Sequence, residues 1–201
     1  MSTDTTAGAG LGAAAGAVGT EPVASPIRGP RTRLFAWREV VLPWLVSRLI
    51  SDALILVLAL QRARPALYAG FAKWDGGWYT LIARNGYGGA PVHGHESPWP
   101  FFPFLPAVMR AGGALGVPEE LVGVLVNHAA FLLALAGLYR LARRHVTDRG
   151  AVLAVWAVAC FPGSFLFSMV YPSSIFLAAS VWAFLLIEEG HDLGAGLVTI
   201  A

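Results

Sequence analysis

The stretch VLPWLVSRLISDALILVLAL, residues 41–60, is apolar over the length of one bilayer crossing and carries only Arg48 and Asp52 as charges. An α-helix needs about 20 such residues to cross a hydrocarbon core of about 30 Å. Arg28, Arg31, Arg33 and Arg38 precede it. Basic residues gather at the cytoplasmic flank of a membrane helix, so the N-terminus is expected in the cytoplasm. Arg48 and Asp52 stand four apart and share a helix face, and charges inside a membrane helix turn toward a bundle interior or a cavity. A structural ion pair or a snorkelling Arg48 is expected, with a place near a lipid phosphate as the alternative.

Composition agrees with a membrane protein. The 201 residues are 56% hydrophobic and 13% charged, with mean hydropathy +0.62, whereas soluble domains devote about a quarter of their residues to charge. A net charge of +2 is too small to imply nucleic acid as a partner. Cys160 is the single cysteine and rules out an internal disulfide or a cysteine metal cluster; it reads as a buried small hydrophobe. Residues 1–33 are rich in Gly, Ala, Thr, Ser and Pro, have no secretory-signal pattern, and are expected to form a disordered cytoplasmic tail.

The next strong basic cluster is Arg140, Arg143, Arg144 and Arg149. If it too is cytoplasmic, an even number of crossings separates it from the first. Two apolar stretches lie between, 99–117 and 121–141. The first holds Pro100, Pro103 and Pro106, then Arg110 and Gly112-Gly113, and prolines interrupt the hydrogen-bond ladder that a lipid-exposed helix must complete. It is therefore expected to be interfacial or re-entrant, and the second span is placed at about 121–141. A third is placed at about 151–167, a fourth at about 174–187, and the start of another at 193. The expected fold is all-α and polytopic, with an outer loop at 61–120, and the sequence reads as the N-terminal part of a longer chain without internal repeats. Asn127 and His128 inside the second span are expected to form interhelical hydrogen bonds.

A connection of this length is usually functional. Phe71, Trp74, Trp78, Leu81 and Ile82 recur at helical spacing and are expected to share one face suited to the headgroup region, with Asp75 and Tyr79 on the neighbouring face. Asp75 is the only carboxylate between Asp52 and Glu96. Two roles fit it. Apolar cover from Trp74 and open backbone at Gly76-Gly77 would raise its pKa and let it accept a proton from an attacking hydroxyl; alternatively it caps the helix. The aromatic residues fit an interfacial belt or a sugar platform. His93-Gly94-His95-Glu96 lacks a third anchored ligand and reads as solvent-facing rather than as a metal site.

The tract KWDGGWYTLIARNGY, residues 73–87, resembles the WD-x-x-W-Y-x-x-I-A-x-x-G-Y signature of PIG-V-like mannosyltransferases, which are C-type, lipid-phosphosugar-dependent glycosyltransferases. Phe101-Phe102-Pro103-Phe104-Leu105-Pro106 resembles the family's F-F-P-L-Y-P element. Phe161-Pro162-Gly163-Ser164 through Tyr171, with Ser174, Phe176 and Leu177, resembles its outer-turn motif. The three matches fall in order over residues 34–187.

The resemblance implies a C-type architecture whose first outer loop holds two membrane-parallel helices. It implies inverting transfer of mannose from a polyprenyl-phosphate donor to an acceptor hydroxyl at the extracytoplasmic face of the cell membrane, with Asp75 as general base or acceptor-orienting group. Trp74, Trp78, Tyr79, Tyr171 and Ser174 are then candidate cleft residues. Lys73, Arg84 and Arg110 are the basic candidates for the leaving phosphate, headgroup anchoring being their other role. The implied co-substrate is the lipid-linked sugar; a divalent metal is left open. One departure stands out: Ser173 occupies a position where the family carries an acidic residue. Glu96, His93 and His95 are the groups available to substitute for it. This departure favours the rival expectation, a non-catalytic membrane scaffold acting beside a partner transferase subunit. A transporter would need paired broken helices or a polar mid-membrane path, and few residues of that kind occur.

Overall fold

A computed structural model of the chain describes residues 37–61, 67–89 and 97–199. The tail read at 1–33 and the His93-Gly94-His95-Glu96 segment lie outside the described residues. Every described element is helical. A π-helical turn, Trp37–Val41, leads into α1 (Leu42–Gln61), and Pro43, which has no N–H to give the ladder, falls where the π turn passes into the α-helix. After a 3-10 turn at Leu67–Gly70 come α2 (Asp75–Gly89) and α3 (Phe104–Ala114). They are followed by α4 (Glu119–His145), α5 (Asp148–Ala159), a 3-10 segment Pro162–Phe167, α6 (Ser173–Glu188) and α7 (Asp192–Val198).

Among the described residues two helices are long and apolar enough to cross a membrane: Arg38–Gln61, with mean hydropathy 1.9, and Glu119–His145, with 2.1. They coincide with the expected spans at 41–60 and 121–141. The stretch expected as a third span, 151–167, is not one helix. At 12 residues, α5 is about 18 Å long. It stops at Cys160 because Pro162 has no N–H with which to extend the ladder. Cys160 is exposed, against the expectation of burial. The fourth expected span, 174–187, is α6, whose 16 residues reach about 24 Å.

The prolines of 99–117 gather at the start of a short helix. Pro103 stands just before α3 and Pro106 falls in its first turn, where a missing N–H removes no intrahelical bond. A helix therefore follows them. It ends at Leu115–Gly116, where Gly116 adopts φ +83 and the Val117 N–H returns to the Gly112 carbonyl.

The long helix α4 organises the rest. Glycines on it admit close neighbours: a Cβ at Gly137 would lie 2.9 Å from Val181 of α6, and one at Gly123 would lie 2.8 Å from Val170. Its first turn carries Glu119 and Glu120 and its last Arg143, Arg144 and His145, charges that complement the helix dipole. The basic end is not a bare flank. Arg144 and His145 pair with Glu188, Arg140 and Arg144 with Glu189, and Arg143 with Asp148, joining the ends of α4 and α6. One apolar core lies between α4 and α5 around Phe131, Leu135 and Val155. A second, built from Phe71, Tyr79, Ala83, Leu105, Met109 and Val170, lies beneath the loop helices.

Candidate functional site

The segments carrying the three sequence motifs are far apart in the chain and meet in space. Beside α2, the Val170 N–H donates to the Phe71 carbonyl at 3.0 Å, and the Tyr171 hydroxyl donates to the Lys73 carbonyl at 3.1 Å. Gly76 makes this contact feasible, since a Cβ there would lie 3.3 Å from the Val170 carbonyl oxygen. From the other side, Phe101 stacks on Trp78 with ring centroids 5.7 Å apart and meets Tyr79 edge-on at 5.2 Å. The Tyr87 hydroxyl donates to the Phe101 carbonyl, and the Tyr87 ring stacks on Trp99 at 5.5 Å.

Asp75 opens α2 and is exposed. The apolar cover expected from Trp74 does not form: Trp74 is 73% exposed and Asp75 is itself exposed. Trp74 is the only non-glycine among the described residues with positive φ, at +50. A bulky side chain in that left-handed region costs about 1–3 kcal/mol and persists only where neighbours over-determine the backbone. Here they do: Lys73 receives the Tyr171 hydroxyl and the Gly76 N–H, and the Gly77 N–H returns to the Trp74 carbonyl.

The face expected to carry Phe71, Trp74, Trp78, Leu81 and Ile82 together is not the one formed. Phe71 and Trp74 precede the helix, and the buried side of α2 is Gly76, Tyr79, Thr80, Ile82 and Ala83. Seating Gly76 against Val170 sets the rotation, so Tyr79 turns inward rather than sitting beside Asp75. Burial, then the charge of Asp75, then Tyr87 and Tyr171, push the Tyr79 phenol up to about 12. Burial and the Asp75 charge also raise Tyr171, opposed by a hydrogen bond to the Asp75 backbone. Both phenols therefore keep their protons at neutral pH.

The basic candidates separate. Arg84 is occupied: it pairs with Glu119 at 3.2 Å and with Glu120 at 2.7 Å, clamping α2 to the start of α4. Arg110 is exposed, and its guanidinium lies over the kink at Gly86, which has φ +72. Lys73 lines an apolar cleft of about 460 Å³ together with Leu54, Leu58, Gly70, Trp74, Phe165 and Met169. Ser174 is not a cleft residue, because it is fully buried and donates to the Phe167 carbonyl at 3.1 Å. Ser173 begins α6 and is partly buried.

The charges inside α1 also depart from expectation. Arg48 neither pairs by hydrogen bond with Asp52 nor snorkels. It is 2% exposed and donates to Ser168 Oγ at 2.7 Å and to the Ser164 carbonyl at 2.9 Å, with its guanidinium over the Phe131 ring. Asp52 bonds instead to His128, so His128 makes the expected interhelical bond. Asn127 does not, donating back to Gly123 of its own helix. The spacing argument missed Arg48 as the anchor of the 162–168 segment, although a lone arginine inside an apolar helix is the kind of signal that marks one. Among the described residues no group of three His, Cys, Asp or Glu could hold a metal ion.

Comparison with protein-family models, with curated proteins and with solved structures finds no match for this chain.

Proposed function

We propose that the chain belongs to an integral membrane glycosyltransferase that moves mannose, with inversion, from a polyprenyl-phosphate donor to an acceptor hydroxyl at the extracytoplasmic face. The observation that carries this reading is the convergence just described. Residues of all three motif matches, within 73–79, at 101 and at 170–171, pack together beside the turn that carries one exposed carboxylate, Asp75. In the proposed reaction Asp75 takes the proton of the acceptor hydroxyl, whose oxygen attacks the anomeric carbon. The bond from that carbon to the phosphate oxygen breaks, and polyprenyl phosphate leaves with the electron pair. Lys73 and Arg110 are the cations proposed to face the phosphate, while Arg84 is withdrawn by Glu119 and Glu120. The apolar cleft that Lys73 lines suits the first isoprene units of the donor.

A second reading, a non-catalytic scaffold for a partner transferase, is favoured by Ser173 alone. Membranes containing the protein and its Asp75→Asn variant, given labelled polyprenyl-phosphate mannose, separate the two. Under the transferase reading the variant loses at least about 100-fold in rate, the usual worth of a general base. Equal transfer by both removes Asp75 from the reaction, and no transfer by either favours the scaffold.

A further inference from the structure

We propose that Trp74 is the residue that grips the donor's isoprenoid chain, and that its strained backbone is kept for this contact rather than for the fold. The identity of the lipid rests on the transferase reading; the choice of residue rests on the structure. Trp74 is held at φ +50, in a region that glycine occupies freely and a bulky side chain does not. The turn around it is tied by the Gly76 N–H and the Tyr171 hydroxyl, both donating to the Lys73 carbonyl, and by the Gly77 N–H donating to the Trp74 carbonyl. All three bonds end on backbone carbonyls, so glycine at position 74 would keep every one. The indole itself adds no hydrogen bond, ring stack or cation contact among the described residues, and Trp74 is largely exposed. A costly side chain that the fold does not use points to a functional contact.

What Trp74 does line is the apolar cleft of about 460 Å³, together with Leu54 and Leu58 of α1 and with Phe165 and Met169. Leu54 and Leu58 also belong to the exposed apolar side of α1, a helix long and apolar enough to cross a membrane. The cleft is thus continuous with the surface that α1 offers to hydrocarbon, and a lipid chain can enter it sideways without passing through water. Apart from Lys73, every residue lining it is apolar, which suits a long hydrocarbon and not a sugar or a peptide. Tryptophan fits the edge of such a cleft: its ring offers a large apolar surface, while its N–H can remain in the headgroup region. Trp74 stands in sequence between Lys73, proposed to face the phosphate, and Asp75, proposed as the base. A chain gripped at this residue brings its phosphate to the groups that react.

The test compares the full chain with Trp74→Gly and Trp74→Phe in phosphatidylcholine nanodiscs. Two quantities are read: the unfolding midpoint without added ligand, and crosslinking to a photoreactive polyprenyl phosphate that carries no sugar. Trp74→Gly relieves the strained φ, so its midpoint should rise by about 2–4 °C. Its affinity for the probe should nevertheless fall at least about tenfold, as expected for losing an apolar contact of this size. Trp74→Phe keeps both the strain and an apolar ring, so it should gain no stability and retain most of the affinity. Unlabelled polyprenyl phosphate should compete with the probe, and phosphatidylglycerol should not. A stabilised Trp74→Gly with unchanged affinity makes the indole an interfacial anchor and overturns the proposal, while leaving the transferase reading intact. A Trp74→Gly that gains no stability overturns it as well, because the indole then serves the fold. Equal competition by phosphatidylglycerol makes the cleft a site for ordinary membrane lipid. No crosslinking of the wild type removes the donor from the cleft, and the transferase reading of that cleft fails together with the role of Trp74.

Discussion

Gly76 and Gly77 are adjacent, both lie in the first turn of α2, and replacing each by alanine should move stability in opposite directions. Either substitution removes the entropic disadvantage of glycine in a helix, worth about 0.5–1 kcal/mol. At Gly77 the new Cβ meets nothing nearer than the Ala72 carbonyl oxygen at 3.9 Å. Gly77→Ala should therefore keep the gain and raise the unfolding midpoint by about 1–4 °C. At Gly76 the Cβ would lie 3.3 Å from the Val170 carbonyl oxygen and 3.5 Å from that of Phe71. Both atoms are backbone, and the same two residues are tied by the Val170–Phe71 hydrogen bond, so neither can give way alone. Overpacking a fitted contact costs about 1–3 kcal/mol, and the strained bond is worth about 1 kcal/mol more. The sum exceeds the helix gain, and Gly76→Ala should be destabilised by about 1–3 kcal/mol. The assay is thermal unfolding of both variants in one detergent, followed by helical circular dichroism. A Gly76→Ala protein as stable as Gly77→Ala would refute the seating of α2 on Val170, and with it the convergence of the motifs.

Tyr171→Phe should cost about 1 kcal/mol through loss of its bond to the Lys73 carbonyl, read as a lower denaturant midpoint with unchanged slope. The Tyr79 phenol, pushed up to about 12, stays protonated in the folded state after an unfolded tyrosine has ionised near about 10. The unfolded state thus loses its proton first, so this contribution to stability is present below about pH 10 and disappears as pH rises toward about 12. Alkaline unfolding of Tyr79→Phe against the wild type should show that loss only in the wild type. Arg84→Gln should lower stability by less than about 1 kcal/mol, because its ion pairs are partly exposed; under the proposed transferase function, transfer should survive, and a loss of donor affinity would return Arg84 to the phosphate.

The long helices were legible because their signal is local: an unbroken apolar run is visible without knowing its neighbours, and α1 and α4 begin and end near the expected residues. The division of 151–167 was not anticipated although Pro162 and Gly163 stand in plain view, because the stretch is apolar on both sides of them. Rotation and pairing were not legible. Period alone leaves the zero angle of α2 undetermined, and a contact across about a hundred residues, Gly76 on Val170, sets it. The spacing of Arg48 and Asp52 gave them a common face but no reason to choose each other over Ser168 and His128, which other segments bring closer. Tyr171 belonged to a matched motif, but nothing local marked its hydroxyl as the brace of the Asp75 turn.

Arg48 has one further consequence. Leu45, Leu49, Ile50, Leu54, Val57 and Leu58 are all exposed along α1, and such a surface slides and spins in an apolar medium with little to oppose it. The guanidinium bound to Ser164 and Ser168 acts as a key in a slot. A shift of one helical turn, about 5.4 Å, would carry it out of reach of both. The axial position and azimuth of an otherwise greasy rod are thereby indexed to the segment that ends in Tyr171.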